Sequence, residues 1–202
     1  MGLYDQYLSF RIRHLQEATP LHVVLVITES DLLINQSYST LEQFFRWAFD
    51  YGAEAVSVYV SVLDSAIIPT LDRELYRIQT PHEITICKPS HFSRAETPIR
   101  IGIGLGGKYE FLEAVKSICI DVSYGILSTK KISKTTIEER LVFPAEPDLV
   151  IKTGGERLSD FMIWQSVYSE LYFTDINWRD FRKRDYLRAL RDYASRKRRF
   201  GN

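Results

Sequence analysis

The sequence predicts an α/β domain whose central, mostly parallel sheet is flanked by helices. Three observations predict it. Apolar runs and helical patterns alternate almost from the start of the chain. The first run, His22–Ile27 (HVVLVI), is continuously apolar, as a strand buried on both faces of a parallel sheet must be. No internal repeat, low-complexity stretch or linker interrupts the alternation, so residues 1–202 read as a single domain.

The elements follow in order. After His22–Ile27, Thr40–Tyr51 reads as an amphipathic helix that ends at Gly52, and Ala55–Val62 as a second strand. A helix around Leu71–Ile78 comes next, then strands at Glu83–Cys87 and Ile99–Ile103. Lys108–Val122 is a strong helix and Lys134–Leu141 a shorter one. Leu149–Lys152 is a strand opening into Gly154-Gly155, Asp160–Tyr168 a helix, and Leu171–Phe173 a short strand. A charged helix over Lys183–Arg199 closes the chain. Ligands of such sheets bind outside the carboxyl ends of the strands.

Composition narrows the function. The chain has 26 basic and 26 acidic residues and is 45% hydrophobic, enough to bury a sizeable core. Zero net charge argues against a broad nucleic-acid footprint. Cys87 and Cys119 share no metal-type spacing with each other or with histidines, and read as reduced, buried thiols of an intracellular protein. No apolar run approaches membrane-spanning length, and the amino terminus is too polar for a signal peptide. A cytoplasmic location is expected. Leu3–Leu15 reads as an amphipathic helix, either packed on the domain or touching a membrane interface.

The segment with the most chemistry is 147–173, PDLVIKTGGERLSDFMIWQSVYSELYF. A strand delivers the chain to Thr153-Gly154-Gly155, where backbone can approach a ligand, and Ser159 opens a helix. Lys152, Arg157 and Ser159 with free helix N–H groups make a diphosphate site. Read alone, the same residues fit a plain turn in which Ser159 is an N-cap and Arg157 is solvated.

From Pro147 through Thr174-Asp175-Ile176-Asn177-Trp178 to Arg198-Arg199-Phe200-Gly201, the chain resembles the carboxyl-terminal signature of the cis-prenyltransferases, which include the undecaprenyl and dehydrodolichyl diphosphate synthases. The resemblance implies that fold, with Lys152, Arg157 and Ser159 holding the diphosphate of isopentenyl diphosphate and Glu170 helping to bind Mg2+. Lys152 stands where the family has arginine and loses its bidentate fork. The segment is also one residue short between Glu156 and Arg157. Arg199-Phe200-Gly201 resembles the family's RxG tail, which implies a dimer in which Arg199 and Gly201 reach substrate diphosphate in the neighbouring subunit. Composition alone reads the same tail as solvated basic residues.

The amino-terminal half departs from the family. Its catalytic Asp is replaced by Thr28, and the glycine- and arginine-rich run that follows it by Glu29-Ser30-Asp31-Leu32-Leu33. Glu29 and Asp31 carry hard oxygens suited to magnesium, but they fit better as caps or solvated loop residues. The family's YAFSxENWxRP appears as Tyr59 to Pro69 with Asp64 for its Glu and with Ser65, Ala66 and Ile68 for its Asn, Trp and Arg. Only 36 residues separate Pro69 from Gly106, where the family has a long helix lining the product tunnel. The family's NYGGRxE/D turn appears as Gly104-Leu105-Gly106-Gly107-Lys108-Tyr109-Glu110, which keeps the glycines but replaces the Asn and Arg.

This pattern is similar to the Nogo-B receptor-type subunits, which lack the catalytic Asp and donate an RxG tail to a catalytic partner. It implies an accessory subunit of a heteromeric cis-prenyltransferase, inactive alone, that contributes to joining isopentenyl diphosphate to an allylic diphosphate with Mg2+ in the assembled complex. The contact with the catalytic subunit is expected around Trp164–Phe173. Two alternatives stay open: an atypical homodimeric prenyltransferase, and a non-enzymatic binding protein on the same fold. Tyr4-Asp5-Gln6-Tyr7-Leu8 and the compact size resemble archaeal members.

Overall fold

A computed structural model describes residues 19–34, 36–91, 94–143, 146–155, 162 and 164–196. Six strands form one sheet in the order β3-β4-β2-β1-β5-β6. They are β1 (His22–Thr28), β2 (Ala55–Ser61), β3 (Ile84–Cys87), β4 (Ile99–Ile103), β5 (Leu149–Thr153) and β6 (Glu170–Thr174). Every pairing between them is parallel, so the expected mostly parallel sheet is wholly parallel. The α-helices among the described residues are α1 (Glu29–Leu32), α2 (Ser37–Asp50), α3 (Ile68–Leu75), α4 (Gly107–Ser123), α5 (Lys134–Glu138) and α6 (Lys183–Ser195).

Alternation of side chains along the strands divides the core in two. Val23, Leu25 and Ile27 of β1 join Val56, Val58 and Val60 of β2 on one face. Leu41, Phe44 and Phe45 of α2, Leu71 and Leu75 of α3, and Tyr186, Leu187 and Leu190 of α6 close over them. At the centre of this core the Phe44 ring meets Phe45, Trp178, Phe181 and Tyr186 edge-on, with centroids 5.4–6.4 Å away. The Trp178 indole N–H donates to the Ser37 carbonyl at 3.2 Å, so the ring is buried without an orphaned donor.

The opposite core is smaller: Val24, Val26, Tyr59 and Val150 lie under Leu105, Val142, Phe143 and Met162. Gly102 makes it possible, because a Cβ there would stand 2.8 Å from the Phe143 ring. Gly102→Ala therefore forces a fully buried ring or the β4 backbone to move. It should destabilise the protein by ~1–3 kcal/mol, read as a lower urea midpoint at an unchanged slope.

Several elements differ from the sequence expectation. Helix α1 was not expected, since four residues carry no period. Helix α3 begins at Ile68 rather than Leu71, with Pro69 in its first turn, where the missing N–H costs nothing. Residues 164–168 form turns, and Met162 sits at φ 33°, so these positions do not carry the helix expected over Asp160–Tyr168. Helix α6 stops at Ser195. Cys87 is buried as expected, but Cys119 is exposed. Leu3–Leu15, Arg157, Ser159, Arg199 and Gly201 lie outside the described residues. Among the described residues no helix is long and apolar enough to cross a membrane.

Candidate functional site

The crevice of an open parallel sheet lies where successive connections leave in opposite directions. Here that point is between β1 and β5: the chain leaves β1 towards β2 on one side, while β5 fills the other. The groups at the carboxyl ends of these two strands are Thr28 to Asp31 and Lys152 to Gly155.

On the β1 side the carboxylates are committed to the backbone. Thr28 is the N-cap of α1, and its Oγ1 accepts from the Asp31 N–H at 3.3 Å. Asp31 answers by accepting from the Thr28 N–H at 2.9 Å and from its hydroxyl at 2.8 Å, which closes a capping box. Glu29 reaches across to the end of β2 and accepts from the Leu63 N–H at 3.1 Å. Asp64 caps the short turn Ser65–Ile67 by accepting from the Ala66 N–H at 3.0 Å. The reading of Glu29 and Asp31 as caps is the one this geometry matches. Among the described residues no group of three or more His, Cys, Asp or Glu is placed to hold a metal ion.

On the β5 side, Lys152 is 8% exposed and pairs in register with Val26 and Phe173. Its ammonium donates to the Thr153 carbonyl at 2.5 Å. Burial pushes this ammonium below the usual lysine range, and the Asp31 carboxylate pulls it part of the way back. Gly154 and Gly155 adopt φ 69° and 123°, conformations that disfavour other residues. Among the described residues, an added Cβ on Gly155 would meet nothing within 4 Å, and on Gly154 only the Asn177 Oδ1 at 3.9 Å. The glycines are required by the backbone angle. Their N–H groups already donate to the carbonyls of Ile176 and Thr174, at 3.2 and 3.4 Å.

Beside this crevice, an open cavity of about 340 Å³ lies at the carboxyl ends of β2 and β4, lined by Tyr59, Ser61, Val62, Pro89, Gly104, Gly106 and Tyr109.

Glu170 is not brought to the same place. It is the first residue of β6 and pairs with Leu149, three levels before the Lys152–Phe173 pair. At about 3.3 Å per residue this is roughly 10 Å along the sheet, and an odd offset puts the two side chains on opposite faces. The Glu170 carboxylate instead accepts from Arg196 at 3.1 Å.

Glu110, the acidic residue that closes the glycine-turn motif, was expected to have no role of its own. Its carboxylate is 2% exposed and accepts from the N–H groups of Val142 and Phe143 at 2.8 and 3.1 Å and from the Gln165 amide at 3.2 Å. Burial pushes this carboxyl above the usual range, and the hydrogen bonds oppose the shift. Through Gln165 it ties α4 to the turn that follows the candidate diphosphate segment. The nearby Cys87 thiol is pushed up to about 11, first by burial and then by the Glu110 charge, so it stays protonated and unreactive near neutral pH.

Residues 77–201 match the family described as putative undecaprenyl diphosphate synthase. The chain belongs to that prenyltransferase family. Its relatives include the tritrans,polycis-undecaprenyl-diphosphate synthase (geranylgeranyl-diphosphate specific) of Methanocaldococcus jannaschii, 34% identical over 200 residues, covering 80% of this chain and 71% of that one. The isoprenyl transferase of Thermotoga maritima is 51% identical over 106 residues, half of this prenyltransferase-family chain and 44% of its own. Among solved structures, lavandulyl diphosphate synthase from Lavandula x intermedia, in complex with dimethylallyl diphosphate, superposes with a TM-score of 0.74 at 23% identity over 92% of this chain and all of that one. The sheet and flanking helices are thus the cis-prenyltransferase fold. The family match begins after α3, so it leaves out Thr28 and Asp64.

Proposed function

We propose that this chain is an accessory subunit of a heteromeric cis-prenyltransferase. It donates Arg199 and Gly201 of its tail to the site of a catalytic partner, which condenses isopentenyl diphosphate onto an allylic diphosphate to give a polyprenyl diphosphate. Lys152, Arg157 and Ser159 are retained as diphosphate ligands, and Mg2+ is a property of the assembled complex. The observation that carries this reading is the end of β1. Thr28 stands where the family has its Asp, and the neighbouring carboxylates Asp31 and Glu29 each hold backbone N–H groups through one oxygen. Catalysis of diphosphate departure needs a group that neutralises the leaving charge, and a threonine hydroxyl in the Asp position supplies none. Packing supports the same reading: α2 and α3 close on the sheet through Leu41, Phe44, Phe45, Leu71 and Leu75, each 0% exposed, which fits a product that grows within the partner. The archaeal synthase among the relatives accords with an archaeal origin.

The test is an isopentenyl diphosphate incorporation assay with an allylic primer and magnesium. It uses the chain alone, an Asp-bearing paralogue alone, and the mixture. Activity is expected only in the mixture, and Arg199→Ala should lower it by about 100-fold, the order seen on removing one charge-stabilising donor. Strong activity from the isolated chain rejects the proposal. That result favours the alternative of a homodimeric enzyme making a short prenyl product, a reading supported by the roughly 340 Å³ cavity beside Tyr59 and Tyr109. Inactivity of the mixture, with no complex on gel filtration, favours a binding protein on the same fold.

A further inference from the structure

We infer that Glu170 is a positioning residue that, with Arg196 and Asp192, clamps the root of the carboxyl-terminal tail, and that it does not serve as a magnesium ligand. The inference rests on the accessory-subunit reading only for where the tail goes. The clamp itself rests on this chain's geometry.

Three observations point to it. First, Glu170 opens β6 and therefore lies at the amino edge of the sheet, while Thr28, Lys152 and the crevice lie at the carboxyl edge. Second, its Oε2 accepts from Arg196 Nη1 at 3.1 Å, while the other terminal nitrogen of the same guanidinium meets Asp192 Oδ2 at 2.5 Å. One planar fork thus bridges a strand of the sheet and the last turn of α6, a geometry that lysine cannot reproduce. Third, Arg196 is the residue at which the chain leaves that helix. It follows Ser195 with extended angles, φ −85° and ψ 137°, and its N–H still donates to the Tyr193 carbonyl.

The arrangement fixes position and direction at the point from which residues 197–202 depart. A half-exposed ion pair adds little to folding stability, so the clamp acts on where the tail starts rather than on whether the domain folds. A carboxylate that already holds a guanidinium is also a poor magnesium ligand.

The test uses the full chain with Glu170→Gln, Arg196→Gln and both together. In the first arm the chain is alone, and trypsin cleavage after Lys197, Arg198 and Arg199 is followed by mass spectrometry. Each single variant should be cut several-fold faster than the wild type. The double variant should be no faster than either single one, because the two residues act as a unit. Equal rates in all four proteins overturn the clamp. In the second arm each variant is mixed with the Asp-bearing paralogue, and both the isopentenyl diphosphate KM and the half-saturating magnesium are measured. The clamp predicts a raised KM for both single variants with magnesium dependence unchanged. A metal-ligand role predicts a large rise in the magnesium requirement for Glu170→Gln and no effect of Arg196→Gln, which overturns the inference. Because the proteolysis arm needs no partner, a mixture that never turns over rejects the accessory-subunit reading while leaving the clamp decided.

Discussion

Phe44→Ala should destabilise the domain by ~3–5 kcal/mol, a large part of the ~5–15 kcal/mol that holds a domain of this size together. The side chain is 0% exposed and stands where α2, the Trp178 turn and α6 meet. Its removal loses the transfer free energy of a whole ring. The cavity it leaves is walled by Trp178, Phe181 and Tyr186, themselves packed too tightly to collapse into it. Four edge-on contacts disappear at once, each worth ~0.5–1.5 kcal/mol beyond area alone. The check is urea unfolding followed by tryptophan fluorescence, with Leu63→Ala as the control. Leu63 is 96% exposed and should shift stability by no more than about 0.5 kcal/mol. Equal effects of the two substitutions contradict the packing described.

Acidification should cost nearly as much through one residue. His22 is 5% exposed on β1, and its Nε2 lies 2.8 Å from the Ser57 hydroxyl. Burial, reinforced by the Arg100 guanidinium, lowers its pKa from 6.5 to about 4, against weaker opposition from the Glu146 carbonyl and Asp148. Between those two values the unfolded chain binds a proton that the folded chain refuses, so stability falls as pH drops. The contribution is complete above about pH 6.5 and lost by about pH 4, with a total of about 3 kcal/mol. Unfolding curves at pH 7, 5.5 and 4 for the wild type and His22→Gln separate this effect from that of the carboxylates. If the two proteins lose stability in parallel, His22 is not its source.

The strands were legible because a parallel sheet leaves a plain mark. HVVLVI, AVSVYVSV and IRIGI are short, largely apolar and rich in β-branched residues, and all three are strands within a residue or two of expectation. Helix α2 was legible from its period. Helix α1 was not, although Glu29 and Asp31 fitted better as caps than as magnesium ligands and the Thr28-x-x-Asp31 spacing is that of a capping box. The expected helix over Asp160–Tyr168 followed from apolar spacing, a pattern blind to the positive φ of Met162. At the site, Lys152 could be placed from the strand that carries it. Glu170 could have been as well, since a residue that opens a strand cannot sit at that strand's carboxyl end. Arg196 gave no signal in sequence, since it looks like any basic residue at a helix end; Glu110 stood at the acidic end of the glycine-turn motif, but its role was hidden because it acts through partners 32 to 55 positions away.

The place of β1 in the sheet has a consequence for how the protein comes into being. Val23 pairs with Val56 on one side and with Leu149 on the other. At ~5–20 residues per second, a ribosome finishes β5 about 6–25 s after β1. For that interval the most apolar strand of the molecule has one bare edge of unpaired N–H and carbonyl groups, the surface from which intermolecular strand pairing starts. Products that terminate before Leu149 keep that edge permanently, so truncated chains should depend on chaperones and aggregate when these are scarce.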